Sequence, residues 1–378
     1  MKSSQINVRD FSLFIALALI WAFFSWQVPD FVSPRNLTML SIELSTTAVA
    51  SLGMLLIILL AHIDLSVGSA IGLMGGVASV LIFRHQWSAP AAMLLSLVVG
   101  VALYATMGWV IARERIPAFI ITLGGLLIFK GIFWKVIGNQ TIPVKTGDKD
   151  NLLSILTTYY LPAWAGYSLV ALIIVALTAA RIYSRIKRCS YGFEVESGEL
   201  MFSKLFVAGQ AFLLSVIVLE RFRGVPLSVT VLGSVAFVIW LITNHTRFGR
   251  YLYAIGGNEE AAIISGIPVR AVTIGAFAIA GVTATITGFM QTAYGGASTT
   301  TTGELMELDA IASCVIGGTA LAGGHGTVLG VLAGAFLIDS LMNGMTLMAV
   351  SPEMKFVTRG VVLTLAVWMD VRLSRRSS

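Results

Sequence analysis

Ionisable side chains are scarce in this chain, and the few that fall inside apolar runs are its candidates for chemistry. His62, Asp64 and Ser66 interrupt one run. Glu307, Asp309, Asp339 and Asn343 lie in or beside later ones, and Thr299 to Thr302 form a hydroxyl-rich stretch that includes Thr300. Ionisable groups in a membrane span are costly and face the protein interior or a water-filled path. One use for such a set is a route for a polar solute, which would exchange hydrogen bonds with these groups. Another is proton carriage by the carboxylates Asp64, Asp339 and Glu307. A structural use is equally open: Asp64-Leu-Ser-Val-Gly68 reads as a break that starts a helix, and Glu307 and Asp309 also suit a solvated loop. Covalent chemistry has little to work with. The four histidines (His62, His85, His245 and His325) are scattered, and Cys189 and Cys314 have neither disulfide nor metal spacing. There is no serine nucleophile elbow and no G-x-x-x-x-G-K-[ST] phosphate loop. We therefore expect no catalytic residue, no metal and no cofactor on this chain.

The elements that must position these groups are membrane helices. The 378 residues are 57% hydrophobic and 12% charged, with mean hydropathy +0.88, whereas soluble domains carry about 25% charged residues. The apolar runs are long and continuous, not alternating in segments of about ten as a barrel requires. The expected fold is one all-α polytopic membrane domain over 1–378 with about ten transmembrane helices. Near 310–347 we expect a broken or re-entrant element, because Gly317-Gly318 and Gly323-Gly324-His325-Gly326 interrupt the run; two full crossings there would raise the count to twelve. Irregular backbone at membrane depth must be buried in protein or face water. Glycines recur at every fourth position at Gly68, Gly72 and Gly76, and again at Gly326, Gly330 and Gly334. Such series form smooth faces for close helix approach and suit a transporter built of repeats.

Charge sets orientation. The net charge of +6 needs no nucleic acid, since membrane proteins gather Lys and Arg on cytoplasmic loops. Alternating the sides groups 112–116, 183–204 and 244–270 with both chain ends, and this side, with Arg181 at its border, holds fifteen of the 25 basic residues. Both termini are thus expected in the cytoplasm. The first apolar run, from Phe11, lacks a small-residue cleavage site and reads as a retained span.

One polar stretch, 244–270, lies between two strongly apolar runs. Asn258 suits a helix N-cap, Glu259 and Glu260 follow in the first turn, where negative charge is favoured, and Gly266 with Pro268 ends the helix. Two glutamates and no basic residue turn such a helix away from anionic lipid, so a protein partner is the expected contact.

Glu260-Ala261-Ala262, with Gly266 four residues later, resembles the cytoplasmic loop of permease subunits in ABC importers. Phe248 to Asn258 and Ser265-Gly-Ile267 are similar to the monosaccharide branch of that family, the ribose- and xylose-type permeases. Ile63 to Ser69, Pro117 to Gly124 and Leu308 to Thr319 extend the likeness over nearly the whole chain. Arg223 to Pro226, Asn343 to Met345 and Ala366 to Asp370 most resemble xylose-type members. The stretches 139–158, with Lys145, Asp148, Lys149 and Asp150, and 189–204 fit poorly.

The resemblance implies a homodimeric permease in the bacterial inner membrane. It would work with a cytoplasmic subunit that uses ATP and Mg, and with a periplasmic sugar-binding protein. It implies docking of the ATPase on Asn258, Glu259, Glu260, Ala261, Ala262 and Gly266, while the polar residues themselves suggest a path near His62, Asp64, Ser66, Thr300, Glu307, Asp309 and Asn343. The alternatives are an ion- or proton-coupled secondary transporter acting without an ATPase, and a membrane-embedded enzyme or scaffold.

Overall fold

The computed structural model describes residues 8–145, 147, 149–193, 195 and 197–377, so Asp148 lies outside the described residues. In chain order the helices and strands are α1 (Val8–Gln27), α2 (Pro34–Leu59), α3 (Val67–Phe83), α4 (Ala89–Glu114), α5 (Ala118–Ile137), β1 (Ile142–Pro143), α6 (Leu152–Thr158), α7 (Ala163–Ser190) and α8 (Gly198–Glu220). Then come α9 (Leu227–His245), α10 (Arg247–Gly257), α11 (Glu259–Ile264), α12 (Val269–Tyr294), β2 (Ala297–Ser298), α13 (Met306–Ile316), α14 (Val328–Leu347) and α15 (Pro352–Ser377). Among the described residues, eight helices are long and apolar enough to cross a membrane, and α3 and the 13–27 part of α1 are shorter apolar helices. This agrees with the all-α fold of about ten spans.

The two ends of the bundle differ. At one, β1 and β2 pair antiparallel, Ile142 opposite Ser298. Beside this ribbon, α6 starts on a capping box. Asn151 Oδ1 accepts from the backbone N–H groups of Leu153 and Ser154, and Ser154 Oγ accepts from that of Asn151. Lys145 pairs with Asp150 here and holds that carboxyl below its ordinary pKa. The other end carries α10 and α11. Thr246 caps α10, its hydroxyl accepting from Gly249 N.

α2 is the axis: every residue from Ser45 to Leu59 is buried. α12 lies along it and against α3 and α4, brought close by glycine. A Cβ at Gly281 would meet the Tyr104 side chain, and one at Gly288 the Ile71 carbonyl. Two helices stop short of spanning. α3 is preceded by non-helical 60–66, and α13, of 11 residues and about 16 Å, continues as the irregular 317–327 before α14 returns. The expected break in 310–347 is therefore this half-helix and its extended tail. Both glycine series sit where these pieces meet. Gly68 and Gly72 leave room for the carbonyls of Gly303 and Thr302, and Gly330 and Gly334 for those of Gly317 and Ser313.

At the α11 end, the Leu59 carbonyl, where α2 stops, accepts from Gly324 N at 3.1 Å. A Cβ on Gly256 of α10 would run into Leu59 O and stand 2.5 Å from Gly324 N. One joint therefore ties α2, the 317–327 segment and α10. Gly256→Ala is expected to destabilise by about 1–3 kcal/mol, because both obstacles are backbone. At adjacent Gly257 nothing lies within 4 Å of the Cβ position, so Gly257→Ala should be neutral or stabilising by up to about 1 kcal/mol. Thermal unfolding in detergent compares the two; equal effects would refute the joint.

Candidate functional site

The surface at the α11 end is built by residues that close a short helix from within. Asn258 is extended (φ −163°, ψ 104°), and its Oδ1 accepts from Ala261 N at 2.9 Å. At the far end Ile267 N donates to Ala262 O and Gly266 N to Ile263 O, both at 3.0 Å, with Gly266 left-handed at φ +77°. This is the paired closure in which a glycine satisfies the last carbonyls of a helix. Six residues alone would not hold a helix in water; caps at both ends and one buried side chain do so here.

That side chain is Ala262, only 3% exposed. It packs into the core of its own bundle, where a small side chain lets α11 lie close. The outward apolar residues are Ile263, 51% exposed, and Ile264, 87% exposed. Their exposure depends on how the helix is rotated, which sequence alone did not reveal. Glu259 and Glu260, with Ile263, line a cleft of roughly 900 Å³ whose other walls include His62, Arg115 and Arg270. Arg115 caps α4 in the left-handed region, at φ 54°, an uncommon conformation for a side-chain-bearing residue.

Of the seven path candidates, His62 lines this cleft beside Glu259 and Glu260, and the others take up separate contacts. Asp64 and Ser66 are fully buried and satisfied by each other. Asp64 Oδ1 accepts from Ser66 N at 2.7 Å and Ser66 Oγ at 2.6 Å, and Oδ2 accepts from Tyr104 Oη at 2.9 Å. They hold the break between α2 and α3. Thr300 offers its backbone carbonyl to Trp134 Nε1 at 3.2 Å, while Thr299, Thr301 and Thr302 bond among themselves. Glu307 reaches into the notch left by Gly68.

Near the ribbon end, Asp309 Oδ1 accepts from Arg359 Nε at 3.0 Å. Asn343 Oδ1 accepts from Asn36 Nδ2 at 2.9 Å, Asp339 Oδ1 from Thr47 Oγ1 at 3.0 Å, and Glu43 Oε1 from Tyr294 Oη at 2.8 Å. This polar seam joins α2, α12, α13, α14 and α15. Sequence reading missed Asn36, Glu43 and Thr47, although their spacing of seven and four puts them on one face of α2. Among the described residues no group of three or more His, Cys, Asp or Glu could hold a metal ion.

The Asp309–Arg359 pair is testable. Arg359→Met strands a carboxylate whose side chain is 12% exposed. The expected cost is about 1–3 kcal/mol, less than for a dry pair because the guanidinium reaches solvent. Arg359→Met with Asp309→Leu should recover most of the loss in thermal unfolding; additive losses would show that the two do not act as a pair.

Comparisons with known proteins agree with this architecture. The chain is 36% identical over 374 residues to the xylose transport system permease protein of Escherichia coli K12, covering 99% of this chain and 94% of that one. It is 35% identical to the Haemophilus influenzae protein of that name, over 98% of each. It is 32% identical to the ribose import permease protein of Escherichia coli K12, over 94% and 92%. No solved structure matches. The family model described as the branched-chain amino acid transport system / permease component matches residues 36–367, and the chain belongs to that permease family.

Proposed function

We propose that this chain is the permease subunit of an ATP-driven importer for a monosaccharide, xylose first, and that it forms the translocation path without chemistry of its own. The observation that carries the reading is end-to-end similarity to permeases named for xylose and then ribose. The absent phosphate loop supports the reading that ATP and Mg are used by a separate cytoplasmic subunit. The other partners are a second copy of the chain and a periplasmic sugar-binding protein. The setting is a bacterial inner membrane with both termini in the cytoplasm, so the α11 end faces the ATPase and the ribbon end the periplasm.

Within the single domain 1–378, segment 244–270 is the coupling loop. Asn258 and Gly266 shape its helix, Glu259, Glu260 and Ala261 present its polar face, and Ala262 anchors it to the bundle. Motion imposed on α11 passes through α10 to the joint of Gly256, Leu59 and Gly324. That joint connects to both broken elements. The ATPase then biases the bundle between two packings, each defined in its own right.

Uptake of labelled xylose and ribose in cells lacking this chain, with and without its restoration, tests the assignment. Restoration should recover xylose uptake in preference to ribose, and ATP depletion should abolish it. No recovery of either sugar overturns the sugar assignment. Uptake that survives ATP depletion and collapses with the proton gradient assigns the chain to ion-coupled transport instead.

A second test addresses coupling. Gly266→Val places a β-branched residue at φ +77°, at a local cost of about 1–2 kcal/mol. It should cut transport while leaving the amount of protein in the membrane near wild type. Gly266→Asn tolerates that conformation and should keep most of the activity. Normal uptake with Gly266→Val removes this closure from the coupling mechanism.

A further inference from the structure

The hairpin of α7 and α8 packs sparsely on the rest of the bundle, chiefly through α8 against α2. Along the 28 residues of α7 only Gly166 and Val170 are buried, and along the 23 of α8 only Val216 and Leu219. All four lie at the ribbon end, where Val170, Val216, Leu219 and Val225 form a small cluster of their own. Towards the α11 end no buried residue joins the two helices, and grooves open along α7. One, of about 180 Å³, is lined by Arg181, Ser184, Arg185, Arg188, Val195 and Met201. A neighbouring groove of about 650 Å³ is lined by Tyr183, Lys187, Arg188, Tyr191 and Phe193, among others.

Arg181, Arg185 and Arg188 are spaced four and three apart, which places them on one face of α7. Among the described residues none of them is in an ion pair, and Glu199, in the first turn of α8, pairs with none of them. The Arg185 guanidinium also lies over the start of α8, with a nitrogen 3.2 Å from where a Cβ on Gly198 would stand. A cation thus sits beside the positive end of a 23-residue helix. An anion between them would satisfy both.

Depth says which anion. α7 is about 42 Å long at 1.5 Å per residue, against a hydrocarbon core of about 30 Å. Its last turns therefore stand in the headgroup layer. Tyr183, Tyr191, Phe193 and Phe202 are each about two-thirds exposed there, as interfacial aromatics are. The flanking surfaces of both helices are apolar and open to acyl chains.

We propose that Arg181, Arg185 and Arg188 form a binding site for the phosphodiester of an anionic phospholipid, which holds together the α11 ends of α7 and α8. The site does not depend on the solute or on the ATPase. Its test uses the purified full chain in detergent, with dioleoylphosphatidylglycerol, dioleoylphosphatidylcholine or inorganic phosphate added. Phosphatidylglycerol should raise the melting temperature of the wild type by roughly 2–4 °C, and the other two should not. The triple variant R181Q/R185Q/R188Q should lose most of that response.

A control triple, R372Q/R375Q/R376Q, removes equal charge elsewhere and should keep it. Equal loss in both triples reduces the effect to diffuse attraction and overturns the site. A full response to inorganic phosphate overturns the assignment to lipid. Should the first triple not fold, Ser184→Glu places a negative charge in the same groove. It should abolish phosphatidylglycerol retention in native mass spectrometry, and unchanged retention there also overturns the proposal.

Discussion

Lipid offers no hydrogen bonds, so every stretch of non-helical backbone inside this bundle must be satisfied by the chain itself or by water in a cleft. Two such stretches, 60–66 and 317–327, govern much of the packing around them. The first leaves the Leu59 carbonyl to be met by Gly324 N, and this contact needs glycine at Gly256 to let α10 close in. The second extends a half-helix whose partner, α14, must approach its backbone at Gly330 and Gly334. Gly256, Gly330 and Gly334 serve these approaches, each at a place where backbone meets backbone.

The same constraint explains the buried polar groups. Asp64 sits where a helix starts inside the bundle and takes three hydrogen bonds. Desolvating a carboxylate is costly unless its bonds are replaced, and the break supplies those bonds. The ribbon-end seam does similar work between helices far apart in sequence. Asn36 reaches Asn343 on α14, and Arg359 on α15 reaches Asp309 on α13. In hydrocarbon surroundings, polar contacts of this kind specify which helices neighbour one another, because apolar contact with a protein or a lipid is nearly equivalent.

The sequence disclosed the features whose causes are local. Apolar runs announced the spans, the glycine pairs announced the break near 317–327, and Asn258, Gly266 and Pro268 announced α11. Features that depend on distant partners stayed hidden. α6 holds only seven residues, and beyond its local capping box it depends on burying Leu153 in a cluster that includes Phe289 of α12. The helix α10 left a local trace in Thr246, which went unread because the polar stretch seemed to hold one helix only. The rotation of α11 could not be read at all. Six residues have too short a period to say which side is buried, and so Ala262 turns inward while Ile264 turns out.

α11 is closed at its start by Asn258 and at its end by Gly266, so it is already folded before anything meets it. Fixing one residue's backbone costs about 1–2 kcal/mol in entropy, and here that cost falls on the folding of the chain itself. A protein that seats on this surface would find a rigid, finished shape. Association would then resemble the docking of two solid bodies, with little of the slow ordering and large heat-capacity change that accompany coupled folding. A surface of that kind can be gripped and released many times without being rebuilt.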